Sequence, residues 1–259
     1  MGELFEIKPR VEVSESEYKR LLGYPKEFNL EGRARELAEN TRLWYKKNGN
    51  PWIYAIQADE MDYSNEKLRI DGTNLVSKKY MKDLKHADAF SAFLVIVSAG
   101  EECEKKAHQF WIEGKPDEYF FMEIYGSAVV EYLIACAGER LCKWAEEKNQ
   151  FILPHYSPGY PGWEVKDQLQ LFNLIKRRSK NTLPKVINVL ETGMIYPKKS
   201  MIAVFGISNS SGVAKNFKEL IPCQYCSMLS CKFRRLPYET PRSYGEYIPK
   251  SFGFNKKNN

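Results

Sequence analysis

The residues best suited to chemistry lie in one short loop rich in aromatic side chains. Residues 153–163 read Leu-Pro-His-Tyr-Ser-Pro-Gly-Tyr-Pro-Gly-Trp. Proline fixes φ and removes a backbone donor, so this stretch is predicted to be neither a helix interior nor a central strand. The rings of Tyr156, Tyr160 and Trp163 could stack on a purine or face a cation. The alternative is a turn whose aromatic side chains cover the core.

A second group of candidate ligands lies near the C-terminus. Cys223, Cys226 and Cys231 follow a Cys-x-x-Cys-x-x-x-x-Cys spacing. Two thiolates at this spacing can reach one ion, so a zinc ion or an iron–sulfur cluster is one interpretation. A reactive dithiol and three thiols without a metal are the others. The candidates for the fourth ligand of a zinc ion are Cys103, His86, His108 and His155.

Two predicted helices flank the aromatic loop and must hold it in place. Apolar periodicity predicts a long helix over residues 116–148 and an amphipathic helix with a basic end over residues 165–178. Glu131 lies on the long helix, where Gly126 and Ser127 would let another backbone pack closely. The aromatic loop is therefore expected to follow a long core helix that carries a carboxylate.

The rest of the chain alternates short apolar strands with helices. An edge strand is expected within residues 5–13, and residues 186–190 and 201–207 are expected to form neighbouring strands joined by a turn at Tyr196 and Pro197. Other strands are predicted at residues 52–56, 67–75 and 90–98, and other helices at residues 14–22, 31–47 and 78–84 and from Glu101 onward.

Composition excludes several classes of protein. The chain has 259 residues, 43% hydrophobic residues and a formal net charge of +6. Its basic residues occur as scattered pairs, which favours a solvated face or an acidic protein partner over nucleic acid. We expect no membrane-spanning run and a cytoplasmic protein. The sequence shows no phosphate-binding loop, zincin motif or dinucleotide fingerprint.

Three segments, in order, resemble the reactivation (activation) domain of cobalamin-dependent methionine synthase. They are Tyr-Gly-Ser-Ala-Val-Val-Glu at residues 125–131, the Pro-Gly-Tyr-Pro within the aromatic loop, and Glu-Thr-Gly-Met-Ile-Tyr-Pro-Lys-Lys-Ser at residues 191–200. That family has Arg-x-x-Pro-Gly-Tyr-Pro and then Glu-Ser-x-x-Met-Trp-Pro-x-x-Ser. The resemblance implies an α+β fold with a curved, mostly antiparallel sheet flanked by long helices. The resemblance covers roughly residues 85–207. Because the composition shifts after Ser208, we expect an activation-domain-like unit over residues 1–207 and a C-terminal Cys-containing extension over residues 208–259 packed on it.

The resemblance further implies S-adenosylmethionine as the ligand. Carried over by position, Tyr160 matches the loop tyrosine, Gly159 the glycine before it, and Ser157 the residue whose main chain contacts the nucleoside. Glu131 matches a helical glutamate near the charged end of the ligand. His155 stands where the family has arginine, and a neutral imidazole is a poorer partner for the ligand carboxylate than a guanidinium fork.

By this resemblance we expect a stand-alone reactivation subunit, an accessory protein of methionine biosynthesis rather than an independent catalyst. It would present S-adenosylmethionine to inactive cob(II)alamin carried by methionine synthase or another corrinoid protein, for reductive methylation. A flavodoxin-like or ferredoxin-like partner would supply the electron. Two alternatives stay open: a corrinoid-protein docking module without S-adenosylmethionine binding, and an iron–sulfur or thiol redox partner that uses the C-terminal cysteines.

Overall fold

The computed structural model describes residues 2–25, 27–63, 67–179, 183–184, 186–210 and 231. The helices are α1 (Glu15–Leu22), α2 (Gly32–Asn48), α3 (Lys78–His86), α4 (Glu102–Ile112), α5 (Pro116–Glu146) and α6 (Asp167–Arg178). The strands are β1 (Glu3–Ile7), β2 (Trp52–Gln57), β3 (Met61–Asp62), β4 (Leu68–Ile70), β5 (Thr73–Leu75), β6 (Ala89–Ser98), β7 (Phe151–Ile152), β8 (Asn188–Val189), β9 (Ile195–Tyr196) and β10 (Ser200–Ser208).

A curved sheet of five strands forms the centre of the molecule. Its order is β1-β2-β6-β10-β7, and every neighbouring pair is antiparallel. The pairing of β6 with β10 runs from Ser98 opposite Ser200 to Ala89 opposite Ser208. Two small antiparallel sheets, β3-β4-β5 and β8-β9, complete the fold. The predicted α+β class with a mostly antiparallel sheet is therefore confirmed.

Both faces of the sheet are buried, and each face has its own core. Helices α1, α2, α4 and α5 cover the face that carries Phe93 and Phe205. Helices α3 and α6, with the aromatic loop, cover the face that carries Leu94 and Val204. Successive residues of a strand point to opposite faces, so burial on both sides makes β6 and β10 continuous apolar runs.

The long helix predicted before the aromatic loop is α5, which spans 31 residues. Within the described part of the chain it is the one helix long and apolar enough to cross a membrane, contrary to the expectation of no such run. It packs on the sheet, however, and 56% of its apolar window is buried there. That burial is the packing of a core helix.

The predicted pairing of residues 186–190 with residues 201–207 is wrong. One edge of β10 is occupied by β6 and the other by β7 and Tyr156. Strand β8 pairs with β9 instead, in a hairpin closed by a hydrogen bond from the amide of Leu190 to the carbonyl of Met194, 2.9 Å long. Most of the predicted extension over residues 208–259 lies outside the described residues.

Candidate functional site

The aromatic loop begins as a short continuation of the sheet along the outer edge of β10. After β7, the amide of Leu153 donates to the carbonyl of Gly206 at 2.9 Å. Tyr156 then exchanges two backbone hydrogen bonds with Val204, of 3.0 and 2.9 Å. Prolines 154 and 158 lack the donors that a longer strand would need, so the chain leaves the edge after Tyr156.

Beyond that edge the loop folds into two successive turns. The amide of Tyr160 donates to the carbonyl of Ser157 at 3.0 Å, and the amide of Trp163 donates to the carbonyl of Tyr160 at 2.9 Å. Gly159, within the first turn, is exposed and has a φ of +96°, in the region that favours glycine. The turns therefore hold Gly159 and Tyr160 at the surface on a backbone fixed at both ends.

A buried carboxylate anchors the loop to α6. Asp167 is 1% exposed, and its Oδ2 accepts from the indole nitrogen of Trp163 and from the amide of Val76, both at 2.9 Å. Its Oδ1 accepts from Nε2 of Gln170 at 3.3 Å. Sequence reasoning missed Asp167, for which the one signal was an acidic residue near the start of a predicted helix.

Two of the three loop aromatics are core residues. Tyr156 and Trp163 are 5% and 3% exposed, and both stack on Tyr80 with ring centroids 5.2 and 5.9 Å away. Burial raises the pKa of Tyr80 well above its usual value, so its hydroxyl stays protonated and donates to the carbonyl of Val204. Tyr156 and Trp163 thus cover the core, and only Tyr160 remains half-exposed as a ligand face.

His155 and Tyr160, both predicted site residues, are brought together. The Nε2 of His155 lies 3.1 Å from the hydroxyl of Tyr160, and the imidazole packs 5.5 Å from the ring of Phe205. His155 is only 5% exposed. This geometry orients Tyr160, and it differs from the open bidentate fork that an arginine would offer at the same position.

Ser157 fastens the loop to the edge of β10. Its side chain is buried, and its hydroxyl donates to the carbonyl of Ile202 at 2.6 Å. In an antiparallel strand alternate residues direct their amide and carbonyl to the same neighbour, so the amide of Ile202 points to this same edge. The edge beside Ser157 therefore offers main-chain polar groups next to the two turns.

Glu131 lies half-buried on α5, which covers the opposite side of β10 from α6. One turn earlier, the hydroxyl of Ser127 is 2.9 Å from Nζ of Lys199, the residue just before β10. The stem of Lys199 crosses Gly126, where a Cβ would be 2.9 Å from its Cγ. A lysine side chain, rather than the backbone predicted there, makes the close approach.

The residues 191–200 connect this region to α4. The hydroxyl of Tyr196 lies 3.2 Å from Glu101, and the backbone amide of Lys198 donates to Glu104 at 3.1 Å. The ammonium of Lys198 also pairs with Glu123 at 2.7 Å. These contacts place the start of β10 beside both α4 and α5.

The cysteine cluster is only partly described. Cys223 and Cys226 lie outside the described residues, and Cys231 is a partly buried free thiol. Among the described residues, no group of three His, Cys, Asp or Glu could hold a metal ion. Of the predicted fourth ligands, Cys103 is 1% exposed, and burial raises its pKa to about 12, which disfavours the thiolate that zinc requires.

Two concavities of about 520 and 280 Å³ lie elsewhere on the molecule. The first is lined by the end of β2 and by Arg178, and the second by α2 and residues 29–31. Neither includes a residue of the aromatic loop. The candidate site is therefore an open surface at the edge of β10 rather than either of these concavities.

A crystal structure of the MetH reactivation domain bound to AdoHcy matches this architecture. The match has a TM-score of 0.52 and covers 71% of this chain and 68% of that chain, with 13% sequence identity. The fold is that of the methionine synthase reactivation domain. The expected fold is thereby confirmed, although no family model and no curated protein matches the sequence. At this identity the likeness to the reactivation domain concerns the fold alone.

Proposed function

We propose that this chain binds S-adenosylmethionine at the aromatic loop and presents it to a corrinoid protein for reductive reactivation. The observation that carries the proposal is its fold likeness, over 71% of the chain, to a reactivation domain bound to AdoHcy. The Pro-Gly-Tyr-Pro loop, which forms two turns at the outer edge of β10, resembles the corresponding sequence motif of that family and supports the proposal.

The loop suits the nucleoside half of this ligand. Gly159 is exposed and lacks a side chain, so a ligand can approach the main chain there. The ring of Tyr160 is half-exposed, and its hydroxyl is held by His155, which fixes the ring for contact with adenine or with the sulfonium cation. Ser157 would contribute its main chain, because its hydroxyl is already engaged by Ile202.

Glu131 is the proposed contact for the positively charged part of the ligand. The sulfonium and the amino group of S-adenosylmethionine are both cations, and a half-buried carboxylate attracts a cation more strongly than a solvated one does.

The reaction needs positioning rather than acid–base chemistry. One electron and the methyl group of S-adenosylmethionine convert cob(II)alamin into methylcobalamin, with S-adenosylhomocysteine as the leaving product. The cobalt is the nucleophile and belongs to the partner, so this chain holds the methyl donor in reach and excludes water. The electron would come from a flavodoxin-like or ferredoxin-like donor.

Reductive methylation in a defined mixture tests the proposal. The full chain, a methionine synthase cobalamin domain in the cob(II)alamin form, S-adenosylmethionine and a chemical reductant are combined under anaerobic conditions. The expected result is conversion of the cob(II)alamin spectrum into that of methylcobalamin, dependent on this chain and slowed in the variant Tyr160→Ala at a limiting concentration of S-adenosylmethionine. Conversion at the same rate without the chain would refute the proposal.

A second candidate is a corrinoid-protein docking module that does not bind S-adenosylmethionine. It is favoured by the burial of Tyr156 and Trp163 and by the hydrogen bond that commits His155 to Tyr160, which together leave fewer groups for a ligand. Partner binding that is unchanged by S-adenosylmethionine, together with no heat on titration of the ligand alone, would support this module.

A further inference from the structure

We propose that Lys199 is the residue that recognises the carboxylate of the ligand, an inference that rests on the proposed function above. An S-adenosyl amino acid ends in a zwitterion, so its site needs a cation as well as a carboxylate. His155 is a poor candidate for that cation, because it is buried against Phe205 and its Nε2 is engaged by Tyr160. Lys199 carries an ammonium group with three donors, which can pair with a carboxylate.

The position of Lys199 fits the amino acid end of the ligand. Phe205 and Ala203 belong to the core beneath α5, so strand alternation directs Lys199 to the same face of β10. Its ammonium hydrogen-bonds Ser127, one helical turn before Glu131 on α5. The carboxylate of Glu131 for the amino group and the ammonium of Lys199 for the carboxylate would then lie side by side.

The spacing along β10 between Lys199 and the residue that holds the aromatic loop is also suitable. Lys199 comes three residues before Ile202, whose carbonyl holds Ser157, and three residues of strand span about 10 Å. A nucleoside that carries an extended amino acid chain covers such a distance. The nucleoside would then contact Gly159 and Tyr160 at the outer edge of β10, and the amino acid chain would pass round that edge toward Lys199 on the α5 side.

The ammonium of Lys199 retains the capacity to bind a ligand. Its side chain is 14% exposed, and among the described residues its three donors have two partners, Ser127 at 2.9 Å and Glu123 at 3.1 Å. Glu123 is shared with Lys198 at 2.7 Å, so one carboxylate faces two ammonium groups. The third donor of the Lys199 ammonium is left for an incoming carboxylate.

Lys198 supplies a matched control. Both lysines contact Glu123, but the side chain of Lys198 is 41% exposed, and its backbone amide binds Glu104 on α4. The variants Lys199→Met and Lys198→Met therefore each remove one ammonium group that pairs with Glu123. Methionine keeps the apolar stem over Gly126, so the variant Lys199→Met should fold. If thermal denaturation shows that this variant is unfolded, Lys199→Gln is used in its place.

The test compares two ligands that differ only in the carboxylate. S-adenosylhomocysteine and its decarboxylated analogue, S-adenosyl-3-thiopropylamine, are titrated calorimetrically into the wild-type chain and each variant. Lys199→Met should weaken the binding of S-adenosylhomocysteine at least tenfold and the binding of the analogue less than twofold. Lys198→Met should change the affinity for either ligand less than threefold. Lys199→Arg should retain most of the affinity for S-adenosylhomocysteine that Lys199→Met loses.

Four results would overturn the inference. Equal weakening of the binding of both ligands by Lys199→Met, or no weakening, would show that the lysine does not recognise the carboxylate. An equal effect of Lys198→Met would show that Lys199 contributes only general positive charge. A wild-type chain that binds neither ligand would overturn the proposed function and this inference together, whereas the other three results leave the proposed function standing.

Discussion

Removing the buried carboxylate of Asp167 should loosen the aromatic loop and destabilise the protein. The variant Asp167→Ala leaves the indole nitrogen of Trp163 buried without its acceptor, which costs about 1–3 kcal/mol. The amide of Val76 loses a charge-assisted hydrogen bond but is partly accessible to water, so it adds about 1 kcal/mol. We expect a total loss of about 3 kcal/mol in the free energy of unfolding.

Urea unfolding followed by tryptophan fluorescence measures this loss, and hydrogen exchange of the amides in residues 157–163 reports on the loop itself. The control is Glu164→Gln, which removes a carboxylate three residues away that is exposed and, within the part of the chain that the structure describes, forms an ion pair with Lys166. An exposed pair of this kind should change stability little. Trp163→Phe removes the indole donor to Asp167. In a double-mutant cycle, Asp167→Ala should therefore cost much less stability in the Trp163→Phe background than in the wild type. A loss below about 1 kcal/mol with unchanged exchange would refute the anchoring role of Asp167.

The remaining predictions concern backbone strain, thiol reactivity and acid stability. Gly193→Ala should destabilise the chain by about 2 kcal/mol or more, because φ is +86° and a Cβ would lie 2.4 Å from the carbonyl oxygen of Val165. Gly114 also has a positive φ, +70°, but a Cβ there would meet open space, so Gly114→Ala should cost only about 1 kcal/mol. Equal losses in the free energy of unfolding for the two variants, measured in urea, would contradict this prediction. Cys103 should resist N-ethylmaleimide at pH 7.5 until urea unfolds the chain, because burial raises its pKa to about 12; rapid native labelling in mass spectrometry would contradict this. Arg178 lowers the pKa of Asp59 in the folded protein. The pair therefore contributes its full stabilisation above the ordinary aspartate pKa of about 3.9, and this stabilisation is lost as the pH falls through the lower pKa of the folded protein. Asp59→Asn should therefore lower the urea midpoint more at pH 7 than in acid, and a pH-independent difference would refute the assignment.

Local sequence patterns predicted much of the fold because most helices here are long and periodic. The helix predicted over residues 116–148 is α5, and the one over residues 165–178 contains α6. Prolines and glycines likewise predicted that residues 153–163 form a loop. These features depend on neighbouring residues, which is why one sequence suffices to find them.

Features that depend on distant contacts were not predicted. Residues 186–190 and 201–207 both read as strands, but only tertiary packing decides that β10 pairs with β6 and β7. The inward direction of Tyr156 and Trp163 follows from their stacking on Tyr80, a residue more than 70 positions earlier. Asp167 likewise acquires its role only because Val76 and Trp163 meet beside it.

The predicted site residues have mixed outcomes. His155 and Tyr160 are in contact, and Ser157 and Gly159 belong to the same pair of turns. Their binding role and that of Glu131 stay predictions, as does metal binding by Cys223, Cys226 and Cys231. The prediction of S-adenosylmethionine as the ligand came from the family resemblance. The structure adds the hydrogen bond by which the imidazole of His155 orients Tyr160.

Calorimetric titration of S-adenosylmethionine into the anaerobically purified chain tests the central claim most directly. We predict saturable binding with one ligand per chain, weakened by about 1 kcal/mol or more in Tyr160→Ala, the scale of a lost aromatic contact. Tyr160→Phe, which keeps the ring, should retain most of the affinity. No heat and no thermal stabilisation of the wild-type chain at millimolar ligand would contradict the claim that this loop binds S-adenosylmethionine.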